Sequence, residues 1–248
     1  MQKVMLITGA SRGIGAETAR LAAQAGYALC INYRDSESQA NELVEYAQGQ
    51  GLTAIAVKAD VSVEAEVMAM FQTIDQQLGR LSALVNNAGI LEAQSSFEHF
   101  SVDRLQRVFN TNIIGCFICA REAIRRMSTD HGGLGGAIVN LSSRASVIGA
   151  PNEYIDYAAS KGAIDTMTIG LASEVGSQGI RVNAVRPGLI YTDMHADGGE
   201  AGRVDRLKSN IPMRRGGLPI EVARAIMWLL SDEASYTTGS FIEVSGGR

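Results

Sequence analysis

The sequence predicts a three-layer, doubly wound α/β fold built on a seven-stranded parallel sheet. Short apolar runs alternate with helical patterns along the whole chain. Two of the runs, Val4–Ile7 and residues 137–141, are apolar throughout or broken only by Asn140, as strands covered on both faces must be. A glycine-rich turn follows the first run directly. Alternation of this kind gives parallel strands joined by right-handed crossovers, with helices on both faces.

The expected strands are residues 3–8, 28–32, 53–59, 83–86, 137–142, 181–186 and 240–244. The expected helices are 13–25, 37–48, 63–78, 102–127, 155–177 and 220–230. These elements occupy the chain from end to end, so one domain over residues 1–248 is expected, with no separate substrate domain. Residues 192–217 break the rhythm: they are rich in Gly, Asp and Arg, with a weak helical pattern near 200–209. Loops after strand C-termini build the crevice of a doubly wound sheet, and one this long is expected to be a substrate lid.

Hydrophobic residues at 46% and charged residues at 19% describe a globular core. A formal net charge of -4 with no Lys/Arg run provides no footing for nucleic acid or an anionic membrane, so neither is an expected partner. No apolar stretch approaches a membrane span. Met1, Gln2 and Lys3 ahead of Val4–Ile7 imitate a short leader, but Thr8 and Gly9 cut the run off and no small-residue cleavage site follows. The run is read as a buried strand and the protein as cytoplasmic. Cys30, Cys116 and Cys119 are too few, and odd in number, for a disulfide framework. Cys116 and Cys119 form a C-x-x-C inside the apolar run 113–120, without a second pair, and are expected to be buried helix residues. His99, His131 and His195 lack ligand spacing, and no metal is expected.

Function enters at the first turn, Thr8-Gly9-Ala10-Ser11-Arg12-Gly13-Ile14-Gly15. A tight strand-to-helix turn needs residues free to take positive φ, and a diphosphate must approach bare backbone at a helix N-terminus. The spacing G-x-x-x-G-x-G departs from the G-x-G-x-x-G of the common Rossmann fingerprint, with Thr18 at the third glycine position counted from Gly13.

This turn resembles the cofactor loop of the short-chain dehydrogenase/reductase family, and other motifs follow in order. Asn86-Asn87-Ala88-Gly89 after the fourth strand is similar to the family's second signature. Asp60-Val61 resembles its adenine contact, and Pro187-Gly188, with Ile190 and Thr192 downstream, its nicotinamide-carboxamide loop. The resemblance covers nearly the whole chain. It implies a Rossmann fold, a nicotinamide dinucleotide cofactor and a homotetramer. Simpler readings exist for each motif: Asn86 and Asn87 as turn residues, Asp60 as an N-cap near Val63, Pro187-Gly188 as a plain turn.

The chemistry is read from Tyr157-Ala158-Ala159-Ser160-Lys161. Tyr157 and Lys161, four apart, share a helix face. A nearby ammonium favours phenolate, so Lys161 is expected to lower the pKa of Tyr157 and fit it for general acid–base work. Tyr154 has Ala158 at the same spacing and is read as packing or substrate-facing. The resemblance assigns the substrate oxygen to Ser143, with Ser142 as the alternative, and a water relay to Asn112, with Asn110 as a rival. Both Tyr157 and Lys161 would also touch the cofactor.

The expected function is therefore a carbonyl–alcohol oxidoreductase acting on a small molecule: a sugar or polyol, a ketone, or a 3-oxoacyl compound. The alternative is a catalytically silent dinucleotide-binding regulatory protein. Arg203, Arg206, Lys208, Arg214 and Arg215 make the lid basic, which suits either an anionic substrate or carrier, or a solvated face. NADP is expected over NAD. The second strand ends Asn32-Tyr33-Arg34, so Tyr33 and Arg34 stand where NAD enzymes carry an acid, and Arg12 lies across from them. Asp35 is expected to cap the next helix.

Overall fold

The computed structural model describes residues 2–248; Met1, the start of the segment weighed above as a leader, lies outside them. The strands are β1 (Val4–Ile7), β2 (Ala28–Tyr33), β3 (Ala54–Lys58), β4 (Leu81–Asn86), β5 (Gly136–Leu141), β6 (Ile180–Pro187) and β7 (Phe241–Val244). All pair in parallel, in the order β3-β2-β1-β4-β5-β6-β7. The helices are α1 (Gly13–Gln24), α2 (Glu37–Gln48), α3 (Glu64–Gln77), α4 (Val102–Phe109), α5 (Gly115–Met127), α6 (Ala145–Ile148), α7 (Ile155–Val175), α8 (Met194–Asp197), α9 (Arg203–Leu207) and α10 (Pro219–Leu230).

Successive strand residues serve opposite layers. Met5 and Ile7 of β1 pack with Ala19 of α1, Leu43 of α2 and Ile226 of α10. Val4 and Leu6 pack with Phe71 of α3, Cys119 of α5 and Val175 of α7. Both faces of the sheet are thus covered, which is why the strands read as apolar runs. The chain fills one side of β1 with β2 and β3, then crosses to β4 on the other. The carboxyl ends of β1 and β4 flank this switch point, where a doubly wound sheet opens its crevice.

The helix expected over 102–127 is interrupted. It runs as α4, a π-helical turn at Asn110–Ile114, and α5. A π turn inserts a residue without changing the apolar pattern enough to be read, and such turns concentrate at functional sites. Gly115 follows it for a steric reason: a Cβ there would lie 2.8 Å from Val61 Cγ2 and 2.9 Å from Val61 O.

The segment 192–217, expected as a lid, holds more structure than its sequence suggested. It contains α8, α9 and a 3-10 turn at Lys208–Asn210, and its two ends are tied where Tyr191 N donates to Gly217 O (2.9 Å) and Gly217 N to Leu189 O (2.9 Å). The three cysteines are free and buried. Among the described residues, no helix is long and apolar enough to cross a membrane.

Candidate active site

Above the carboxyl ends of β1 and β4 lies a cleft of about 680 Å³. Its floor is the turn into α1, where Gly9 and Gly13 both take a φ of 58°, a conformation glycine adopts without strain. A Cβ on Gly9 would stand 2.9 Å from Ala88 Cα, and one on Gly15 would stand 2.6 Å from Asn87 Nδ2. The turns after β1 and β4 therefore touch backbone to backbone. Asn87 Nδ2 donates to Thr8 O (2.8 Å) and Gly9 O (2.9 Å), while Thr8 Oγ1 accepts from the N–H groups of Asn87 and Ala88, both at 3.0 Å. Asn32, which the sequence reading passed over as a site residue, braces the other side. Its Oδ1 accepts from Gly9 N (3.1 Å), and its Nδ2 donates to Ala59 O (3.0 Å). The available signal was a polar residue within an apolar strand, costly unless it is satisfied. The N-terminus of α1 has no side-chain cap and no acid in its first turn. Its positive end is left for an anion, which fits the diphosphate of a dinucleotide.

Of the cofactor residues expected from sequence, Gly9, Ser11, Arg12, Gly13 and Ile14 border the cleft. So do Arg34, Asp60, Val61, Asn87, Ala88, Gly89 and Thr192. Tyr33 does not. It points into the α1–α2 layer, because alternation sends the residue after Asn32 to the opposite face. Asp60 Oδ1 accepts from Ser62 N (2.9 Å) and Oγ (2.7 Å) and makes a local turn rather than capping α3. Asp35 also departs from expectation. Ser36 holds the N-cap position of α2, without a side-chain cap, and Asp35 Oδ2 accepts from Arg34 Nε at 2.7 Å. Arg12 pairs with Asp197 of α8, so the lid reaches over the glycine turn.

A second cavity, of about 340 Å³, adjoins the cleft and shares Ile14, Asn87 and Thr192 with it. Tyr157, Lys161 and Ser143 meet on its wall. Desolvation pushes the phenol of Tyr157 up to about 12, and neighbouring Ser143 lowers it only in part. The Lys161 ammonium lies 5.5 Å from the ring centroid of Tyr157 and donates to Leu141 O at 2.6 Å. Burial lowers its own pKa to about 8. Lys161 therefore does not depress Tyr157 in this arrangement, contrary to the expectation from spacing. Lys161 is buried and Tyr157 partly so, and desolvation is the largest influence on each. Ser142 Oγ donates to Lys161 O at 3.3 Å, and Ser143 Oγ accepts from Ala145 N at 3.1 Å; both serines line the cavity.

Asn112 lies in the π turn and is buried. Its Oδ1 accepts from Ile90 N (2.8 Å), and its Nδ2 donates to Ile90 O (3.1 Å) and Ser160 Oγ (3.1 Å). The side chain clamps the segment after Gly89 against α7, and Asn110 is exposed. Pro187 and Gly188 end β6 beside β7: a Cβ on Gly188 would lie 2.8 Å from Ser245 Cα. Ile190 O accepts from His195 Nε2 at 3.0 Å, and burial lowers the pKa of His195.

Comparison with known proteins places the arrangement. A family model described as enoyl-(acyl carrier protein) reductase matches residues 9–248. The chain is 58% identical to an uncharacterized oxidoreductase, YgfF, of Escherichia coli (strain K12), over 99% of each chain. It is 37% identical to the 3-oxoacyl-[acyl-carrier-protein] reductase FabG of Staphylococcus aureus, over 100% of this chain and 98% of that one. Among solved structures, a Serratia marcescens short-chain dehydrogenase/reductase variant superposes with a TM-score of 0.90 at 31% identity, covering 99% of this chain and 97% of that chain. The chain belongs to the short-chain dehydrogenase/reductase family. Members of this family are oxidoreductases that use nicotinamide dinucleotides, and the cleft is shaped for one.

Ion pairs hold the segment 192–217. Arg203, buried in α9, forks onto Glu153 at 2.7 and 2.5 Å and covers the ring of Tyr154. Arg206 pairs with Glu200 (2.5 Å), Lys208 with Asp205 (2.7 Å) and Arg215 with Glu221 (2.5 Å). The basic lid seen in sequence is thus largely neutralised by acids of its own neighbourhood.

Proposed function

We propose that this short-chain dehydrogenase/reductase interconverts a carbonyl and a secondary alcohol, with NADP(H) as cofactor and Tyr157 as general acid or base. The observation that carries the reading is the meeting of Ser143, Tyr157 and Lys161 on the wall of a cavity that adjoins the dinucleotide cleft. Bound with its diphosphate at α1, the dinucleotide would supply or accept hydride through its nicotinamide. In reduction the neutral phenol of Tyr157 donates to the developing alkoxide, while Ser143 holds that oxygen. In oxidation Tyr157 takes the proton back. Lys161, beneath the phenol, stands ready to exchange its contact with Leu141 for one with the cofactor.

Arg34 and Arg12 support NADP(H), since both guanidiniums border the end of the cleft beyond β2 and suit a phosphate. The relatives' names span 3-oxoacyl reductase and glucose dehydrogenase, and the reading covers ketones, sugars and 3-oxoacyl compounds. Three free thiols suit the cytoplasm. Exposed apolar residues on α5 and α7 support a homotetramer. The test follows nicotinamide absorbance with a panel of these substrates and each cofactor. Turnover of at least one, faster with NADPH than NADH, is expected; no turnover with either cofactor would overturn the reading.

A further inference from the structure

We infer that Asp197 of α8 sets the affinity for the dinucleotide by occupying Arg12 in place of a cofactor phosphate, which must displace it and so frees α8 from the glycine turn. This rests on the reading of the cleft as a dinucleotide site and adds to it a residue that competes with the cofactor.

Among the described residues, three arginines border the cofactor cleft, and each is held by an acid that borders it too. Arg34 Nε donates to Asp35 Oδ2 at 2.7 Å, and Arg107 Nε to Glu92 Oε1 at 2.8 Å. The first pair joins chain neighbours, and the second joins residues 15 apart. Arg12 differs in reach. It stands at the N-cap position of α1, where its side chain caps nothing, and its Nη2 donates to Asp197 Oδ2, 185 residues away. Asp193 Oδ2 lies 3.9 Å from Arg12 Nη1. Two carboxylates of the segment 192–217 therefore share the one guanidinium of the glycine turn.

The Arg12–Asp197 pair is half-exposed on both sides, and a pair this open shifts an equilibrium only a few-fold. A phosphate binds a guanidinium through charge-assisted, often bidentate bonds, so it can take Arg12 from a single carboxylate. The present position of α8 also carries a cost. His195 Nε2 is held by Ile190 O at 3.0 Å, while Nδ1 is buried with no hydrogen-bond partner among the described residues. A shift of α8 relieves that cost. The shift reaches the substrate cavity directly, because His195 borders it and Met194 borders both it and the cleft.

The test measures binding of NADPH and NADH by nicotinamide fluorescence, without substrate, in wild type, Asp197→Asn, Arg12→Gln and the double variant. Asp197→Asn should tighten NADPH binding about three- to fivefold, the worth of a half-exposed ion pair. In the Arg12→Gln background the same change should move the affinity by less than about twofold, because the contested group is gone; the cycle isolates that coupling. Hydrogen exchange of residues 194–200 in the cofactor-free protein should quicken in Asp197→Asn by a factor similar to the gain in affinity. A gain confined to NADPH places the 2′-phosphate on Arg12. An equal gain for NADH places the diphosphate there, which withdraws Arg12 from the case for NADP(H) and keeps the competition. Unchanged affinity in Asp197→Asn, a gain that persists without Arg12, or exchange equal to wild type would overturn the inference.

Discussion

The proton on Tyr157 rests where burial puts it. With its pKa pushed up to about 12, the phenol is neutral near pH 7 and poised to donate. Tyr157→Phe should lower kcat by about a hundredfold or more, the usual weight of a general acid. Dinucleotide binding, followed by fluorescence, should persist; near-wild-type turnover would remove the phenol from the mechanism. Lys161 gives a stability signature. Its pKa falls from 10.5 to about 8 on folding, so between those values the unfolded chain binds more protons. Stability must then rise with pH across that window, because the penalty for burying the ammonium is relieved as it deprotonates. Lys161→Met should flatten this rise in urea unfolding measured near each end of the window, and an unchanged slope would assign it to another group. The Arg34–Asp35 pair bears on cofactor choice. Arg34→Asp should move the kcat/KM ratio toward NADH. Asp35→Asn, by freeing the guanidinium for a phosphate, should move it toward NADPH; a wild-type kcat/KM higher with NADH than with NADPH would make Asp35 the ribose ligand. These local residues were legible because an i,i+4 pair and a strand–turn–helix are written in adjacent positions. The Arg203–Glu153 fork joins residues 50 apart, and the Asn32–Gly9 bond joins residues 23 apart. No local pattern announces either contact.

At the scale of elements, the face of α7 that carries Tyr157 is fixed from its first turn. Arg104 of α4 donates to both oxygens of Asp156, at 2.6 and 3.2 Å, and to Ala93 O at 2.6 Å. Asp156 Oδ1 also accepts from the backbone N–H of Tyr157 at 2.9 Å. One guanidinium thus joins α4, the wall of the cofactor cleft and the turn that carries Tyr157. Both side chains are nearly out of solvent, so removing one partner strands the other. Arg104→Met should destabilise the fold by about 3–5 kcal/mol, measured by urea unfolding. A smaller loss should appear for Arg104→Lys, which restores the charge without the fork. A loss below about 1 kcal/mol would demote the pair to a surface-like contact. The apolar runs and glycine turn made the strands legible, and β1–β7 lie within a few residues of their expected ends. The π turn was hidden because an inserted residue in a long amphipathic pattern leaves no composition mark. The lid helices were faint because ion pairs, rather than an apolar stripe, hold them.

For the whole molecule, the outer face of the α5–α7 layer raises the question of what covers it. The structure divides the apolar run 113–120. Ile118 and Cys119 face the sheet, while Ile114 and Phe117 are 48% and 47% exposed. On neighbouring α7, Ile164 and Met167 are buried and Ile169 is 54% exposed. The helices therefore use one side for their own core and leave large apolar groups outside on the other, the pattern expected of an interface between identical subunits. A symmetric contact would use this face twice. A second contact must lie elsewhere for four subunits to close, and exposed Trp228 and Tyr236 near the sheet edge are available for it. Light scattering at micromolar concentration should give a tetramer for wild type. Phe117→Asp places a charge in the first contact and should yield dimers or monomers while circular dichroism stays native. A wild-type monomer mass would refute the assembly. A tetramer undisturbed by Phe117→Asp would move the interface to another face of the molecule.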